Sequence, residues 1–358
     1  MAQFLFRRLL LILPVLVGIL IVTFIITRSV PGDPCSVMLG ERATDAACNA
    51  YKARFGLDKS LPEQFLIYSG NLLQGDFGTS LKDKRPITTV IAERLPMTME
   101  LTFMAMIFAT SAGIILGVIS ALNRNSWIDT LTMVGANIGV SMPVFWLGLL
   151  LAFFFAITLK DTPFALPPSG RLTAGISMTQ LVKAWGITEK TGFRVFIVQL
   201  ISNSAIFNGL ITGNYKLTLD AIKHLLLPAF AVGTISMAVI ARMTRSALLE
   251  VLGQDYIRTA RAKGLKHLVV IRKHALRNAL IPIVTIIGIQ TGGLLSGAVL
   301  TETIFSLPGV GSKMVEAILG RDYPVVQGFS VVIAFIFVIT NLLVDASYAY
   351  LDPRVRVK

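Results

Sequence analysis

Three histidines, two cysteines and one glycine-rich stretch ending in lysine mark where metal, redox or phosphate chemistry could sit in this sequence. His224, His267 and His274 lack zinc-ligand companions and neither cysteine is near them, so no metal site is expected. PGVGSK (Pro308 to Lys313) has the look of a phosphate loop, but such a loop needs four residues between its first glycine and the Gly-Lys-Ser/Thr group. No Ser/His, Asp/Asp or HExxH arrangement is placed to break a bond. The chain is therefore read as non-catalytic and without a cofactor of its own.

What remains is a run of charge. DYIRTARAKGLKHLVVIRKHALRN (Asp255 to Asn278) is dense in arginine and lysine and lies between two strongly apolar stretches. Ala260 and Gly264 stand four apart, one face of a helix, with Arg258, Arg261 and Lys263 around them and Tyr256, Thr259 and Leu265 in the same segment. Small residues let another surface approach a helix backbone, and long basic side chains pair with acids on that surface. That describes a docking knob. A basic helix lying on anionic lipid, at about 1 kcal/mol per basic residue, fits the same residues equally well.

The elements that must carry this segment follow from composition. Of 358 residues, 54% are hydrophobic and 15% charged, and the mean hydropathy is strongly positive, which excludes an ordinary soluble domain. A bilayer core needs roughly 20 apolar residues per helix. Six segments qualify: about Leu9 to Thr27, Leu101 to Leu122, Leu131 to Leu159, Leu225 to Ala241, Ile281 to Leu300 and Gly328 to Tyr350. The expected fold is an all-α integral membrane protein with six transmembrane helices. The first span follows Arg7 and Arg8 as a signal peptide would, but its apolar run is too long and no small-x-small cleavage site follows, so it is read as uncleaved.

A net charge of +13 would suggest nucleic acid in a soluble protein; here it reports topology. Arg7 and Arg8, Arg124, the stretch Arg242 to Arg277, and Arg354, Arg356 and Lys358 all fall on one face if there are six spans. The positive-inside rule makes that face cytoplasmic and places both termini there. A seventh span, Phe193 to Gly213, would reverse everything after it, and it carries Gln199, Ser202, Asn203, Ser204 and Asn208. It is read as part of an extracytoplasmic loop, interfacial if helical. The chain then divides into residues 1–95, the first span with its outside loop, and a core of 96–358. The core contains an outside loop, 160–223, and a cytoplasmic loop, 242–280. Cys35 and Cys48, the two cysteines, both fall in the first outside loop, VPGDP (Val30 to Pro34) turning the chain into it. They are either two unrelated small hydrophobes or, in an oxidising compartment, a disulfide; the disulfide is expected.

Span five reads IIGIQTGGLLSGAVL, with Gly288 and Gly292, then Gly293 and Gly297, at the small-xxx-small spacing of close helix packing in lipid. Gln290, Thr291 and Ser296 there, with Asn137 and Ser141 beside Pro143 in span three, are the polar candidates for lining a passage. Glu100 and Asp345 lie towards span ends, so the midplane relay that an ion-driven secondary transporter would need is missing.

The basic segment resembles the cytoplasmic EAA loop of ATP-binding-cassette importer permeases. Aligned on Gly264 it keeps Ala260, Gly264 and Leu276, and departs at Arg258, Thr259, His274 and Arg277. DYIRTARAKGL followed by HALRNA is similar to the version in the peptide-importer branch. RRLLLILPVLVGILIVTF, FGLDKSLPEQF, GDFGTS, SMPVFWLG, LTETIFSLPGVG and RDYPVVQG extend the resemblance over nearly the whole chain, Leu159 to Leu217 least. The branch is that of B-type subunits of dipeptide and oligopeptide importers, nickel and glutathione carriers included. The resemblance implies the type I importer permease fold in a bacterial inner membrane, and a machine with four partners. These are a second, homologous permease, two cytoplasmic ATPase subunits that bind the ATP and Mg, and an extracytoplasmic substrate-binding protein. It also implies that a coupling helix, about Tyr256 to Leu265, sits in a groove of one ATPase.

Overall fold

Lipid offers the backbone no hydrogen-bond partners, so a chain this apolar must satisfy its peptide groups within helices. The computed structural model, which describes residues 2–29, 35, 44–54, 56–188 and 192–351, is helical, with no named strand among those residues. Helix α1 runs Ala2–Ser29, followed by α2 (Asp45–Arg54) and α3 (Leu61–Leu73). Next come α4 (Ile87–Leu122), α5 (Trp127–Ser141), α6 (Val144–Phe153), α7 (Phe193–Ser202) and α8 (Ala205–Thr212). The chain continues through α9 (Tyr215–Leu252), α10 (Asp255–Ala262), α11 (Arg277–Gly297), α12 (Val299–Ile304), α13 (Val310–Leu319) and α14 (Tyr323–Leu351). The helices α4, α9 and α14, and the continuous helical stretch His267–Leu295 that contains most of α11, are long and apolar enough to cross a membrane.

The expected third span, Leu131 to Leu159, is not one helix. It is the pair α5 and α6, bent by 100° at Met142 and Pro143, with a π-helical turn Phe154–Thr158 extending α6. Proline has no amide to donate and excludes the helical conformation of the residue before it, and Met142 is accordingly extended at ψ 129°. The doubtful segment Phe193 to Gly213 is likewise the bent pair α7 and α8, at 91°. Its corner carries the polar bonds: Ser204 Oγ and the Ile206 amide each donate to Glu100 at 2.7 Å, and Asn203 donates to the Ala92 carbonyl at 3.2 Å. Arg171, from the irregular loop before it, pairs with the same Glu100 at 3.2 Å.

The centre of the bundle is the packing of α4 on α9, and its closeness depends on glycine. A Cβ on Gly117 would lie 2.5 Å from the Thr244 Cβ and 2.6 Å from the Ala241 carbonyl; on Gly113 it would lie 2.8 Å from the Met237 carbonyl. Gly233, on α9, meets the Ala105 carbonyl of α4 in the same way. Backbones at this distance gain dispersion contacts in a medium where no hydrophobic force separates helix from lipid. In α11 the expected close packing holds for Gly288 and Gly292, where added side chains would collide with Val344 and Phe337 of α14, whereas Gly293 faces open space.

Cys35 and Cys48 form the expected disulfide, Cα atoms 5.4 Å apart. The VPGDP turn before it lies outside the described residues. The PGVGSK loop does bind an anion, its own. Glu302 is fully buried and accepts from the Ser312 amide at 2.9 Å and from Thr98 Oγ1 at 2.6 Å, and Thr98 Oγ1 in turn accepts from the Val310 amide. The carboxylate occupies the amino-terminal end of α13, where the helix dipole favours negative charge. Lys313, the loop's lysine, is buried and bonded to Asp83 at 2.7 Å.

Candidate functional site

Helix α10 is amphipathic, and its packing fixes which side is inward. Ile257 and Ala260, three apart and so on one face, are buried in an apolar cluster. The cluster includes Met106, Ala109 and Ala121 of α4, Ile240, Ala247 and Leu248 of α9, and Ala279 and Ile283 of α11. Asp255 sits in the first turn and Arg261 in the last, each at the helix end whose dipole suits its charge. A π-helical turn, Val270–Leu276, buries Val270, Ile271 and Ala275 and carries the chain into α11. Tyr256 accepts a hydrogen bond from Asn278 Nδ2 at 2.9 Å, tying α10 to the start of that helix.

Ala260 and Gly264 therefore do not share a face presented to a partner, as their spacing suggested. Ala260 points into the bundle, where it is 6% exposed. Gly264 is not on a helix, which ends at Ala262. Its φ is +74°, the left-handed region where glycine alone is unstrained, and its amide bonds the Arg261 carbonyl at 3.0 Å. An added Cβ would meet nothing within 4 Å. The glycine is needed for the turn.

The outward side is Arg258, Thr259, Arg261, Lys263, Leu265 and Lys266, all exposed, with Tyr256 at its edge. Leu268 and Val269, passed over in the sequence, extend this ridge with exposed apolar surface, Leu268 at 61%. Arg258 meets Asp255 at 3.4 Å, an exposed pair worth little. The outward side thus presents cations flanking exposed leucines.

The passage candidates divide. Gln290 Nε2 donates to the buried Ser236 Oγ at 3.0 Å and so joins α11 to α9, while Thr291 bonds back to the Ile287 carbonyl at 2.7 Å. Asn137 and Ser141 are exposed on α5, Ser141 bonding the Asn137 carbonyl at 3.1 Å. The side chain of Ser296 lies outside the described residues.

Comparison with known families decides the class. Residues 113–357 match the family described as binding-protein-dependent transport system inner membrane component, and residues 1–102 match that family's amino-terminal component. The chain belongs to this family of inner membrane transport components. It is 47% identical to the dipeptide transport system permease protein DppB of Alkalihalophilus pseudofirmus, over 99% of this chain and 100% of that one. It is 45% identical to the di/tripeptide transport system permease protein DppB of Pseudomonas aeruginosa, over 99% of both chains. To the dipeptide transport system permease protein DppB of Escherichia coli K12 it is 44% identical over the full length of both. As a transport permease of this family it is a multi-pass membrane protein. The first match ends at residue 102 and the second begins at residue 113, both inside α4, which is one unbroken helix.

Proposed function

We propose that this chain is a transmembrane subunit of an ATP-driven importer of di- or oligopeptides. The observation that carries the substrate class is end-to-end similarity to permeases named for dipeptide and di/tripeptide transport. In this reading the chain forms half of the passage beside a second, homologous permease. It receives substrate from an extracytoplasmic binding protein, and two cytoplasmic ATPase subunits bind and hydrolyse the ATP. Both termini and the α10 segment are cytoplasmic.

Geometry supports the coupling role in one respect. Ile257 and Ala260 seat α10 in a cluster shared by α4, α9 and α11, so a force on its exposed basic ridge is borne by three spans at once. Contiguous packing of this kind is what carries displacement from one site to another. The lysine and arginine side chains then hold the ATPase, and Tyr256 and Leu265 fill the edge of its groove.

The test is uptake of a labelled dipeptide into vesicles carrying the complete transporter with its binding protein. Uptake that requires ATP and the binding protein is expected. Uptake driven by an ion gradient without ATP would refute the reading. A metal chelate or glutathione taken up in place of dipeptides would overturn the substrate class alone.

A further inference from the structure

The two helices between the first span and the core differ in kind. Helix α2 carries Asp45, Lys52 and Arg54, a composition suited to water. Helix α3 carries one charge, Glu63 in its first turn, and residues 64–75 carry none. No residue of α3 is buried, and Leu66 and Leu73 are 69% and 90% exposed. Seven positions apart, they stand two turns from each other on one face. A Cβ on Gly70, between them, would meet nothing within 4 Å. Leu61 and Ile67 are exposed as well. A lone exposed leucine needs no explanation, but a face of them does.

A different side of α3 rests on α1, and the contact fixes its depth. Phe65 meets Phe24 edge to face with 5.4 Å between ring centres, and Tyr68 lies 6.4 Å from the same ring. Residues 9–27 of α1 carry no charge, and Phe24 is four residues short of Arg28. At 1.5 Å of rise per residue it sits about 6 Å inside the end of the apolar run. An amphipathic helix lying in a membrane surface sinks its apolar face about 5–10 Å into the boundary between headgroups and acyl chains. The two depths agree. Helix α14 marks a similar level from the other direction. Its Gln327 donates to Thr27 Oγ1 at 2.7 Å, five residues after Asp322, the last charge before that apolar helix begins.

The surface that α3 continues is one that meets lipid. Val22, Ile25 and Ile26, around Phe24 on α1, are more than half exposed, and in a multi-pass membrane protein such apolar surface faces acyl chains. The tilt of α3 follows from its charges. Glu63 at one end and Asp76 just past the other must both reach the headgroups, which a helix standing upright beside α1 would not allow. We infer that α3 lies flat in the bilayer surface, in the leaflet where α1 ends, with Leu66 and Leu73 among the acyl chains. The partner of this face is lipid.

The test uses the complete transporter in lipid nanodiscs. Both native cysteines are held in the disulfide, so Leu66→Cys and Leu73→Cys, made singly and assembled with cysteine-free partner subunits, each accept one nitroxide label. Both positions are exposed, so the label should leave the fold intact. Its spin relaxation is read with oxygen, which collects among acyl chains, and with a water-soluble nickel chelate, which stays out of them. At 66 and 73 oxygen should act several-fold more strongly than the chelate, at a depth of about 5–10 Å. A label at Lys59→Cys, just before α3, should show the reverse order. Stronger relaxation by the chelate at 66 and 73 would place this face in water and overturn the assignment. Exclusion of both reagents would give the face to a protein partner and overturn it equally. Peptide uptake does not enter the measurement, so the result is independent of the proposed function.

Discussion

Arg245 grips Asp129 with two parallel bonds, Nε to Oδ1 at 2.8 Å and the terminal nitrogen to Oδ2 at 2.7 Å. Ser120, from the last turn of α4, donates to the same carboxylate, as does the Asn125 amide. One acid at the start of α5 thus holds α4 and α9 together at the end where α10 begins.

Asp129 is 5% exposed, so removing its partner leaves a desolvated charge. Arg245→Leu should destabilise the protein by about 3 kcal/mol. Asp129→Asn with Arg245→Leu, which removes both charges, should recover much of that loss. Thermal denaturation of the detergent-purified variants measures it.

The α4–α9 contact gives a second expectation. Gly117→Val must displace Thr244 and the Ala241 carbonyl, overpacking that costs about 1 to 3 kcal/mol or more where backbone is the obstacle. Gly135→Ala, with nothing within 4 Å of its Cβ, is the matched control and should gain slightly from helix propensity. Levels of membrane-inserted protein and thermal stability should separate the two.

The faces of α10 can be tested against each other. Ala260→Leu inflates the buried side and should lower stability before anything else. Arg261→Glu with Lys263→Glu changes only exposed charge, so stability should hold while peptide-stimulated ATP hydrolysis and uptake in the complete transporter fall at least tenfold. On a merely lipid-binding helix the double reversal would instead weaken membrane contact and spare the coupling of hydrolysis to transport.

The spacing of Ala260 and Gly264 shows what a sequence displays and what it conceals. The class of protein and the apolar segments were legible because they rest on composition, which needs no partner. The role of each small residue was not, because helix spacing presumes a helix that ends two residues before Gly264. Similarly Leu131 to Leu159 is continuous in hydropathy, yet Pro143 breaks it. Glu100 lies near the expected start of a span, but its ligands come from residues 171, 204 and 206, far away in the chain. Local pattern cannot reveal such a pairing.

Acidity should loosen one outer contact selectively. Lys82 and Glu316 meet at 2.8 Å, and the lysine's hydrogen bond holds the Glu316 carboxyl below its ordinary value of 4.5, while that carboxylate holds Lys82 above 10.5. A lowered carboxyl contributes stability above its unfolded value and loses it as pH falls through the folded one; a raised lysine contributes below its unfolded value and loses it as pH rises through the folded one. The contact should stay closed between those limits and open in acid, as pH falls through the lowered folded value of Glu316. Both groups are well exposed, so the global effect should be small. Hydrogen exchange at residues 80–84 should quicken in acid, and Glu316→Gln should abolish that pH dependence.

The wide turn at Val270–Leu276 has a meaning in helical phase. Each residue of an α-helix advances the chain by about 100°, and a turn bonded i to i+5 advances it by less, so the two sides of this segment are not in step. A pattern of inward residues extrapolated from Ile283 back through the turn would aim His267 and Leu268 at the wrong neighbours. A one-residue deletion inside Val270–Leu276 would change the phase between the two helices and set the seating of Ile257 and Ala260, and the bond from Asn278 to Tyr256, against the buried stripe of α11.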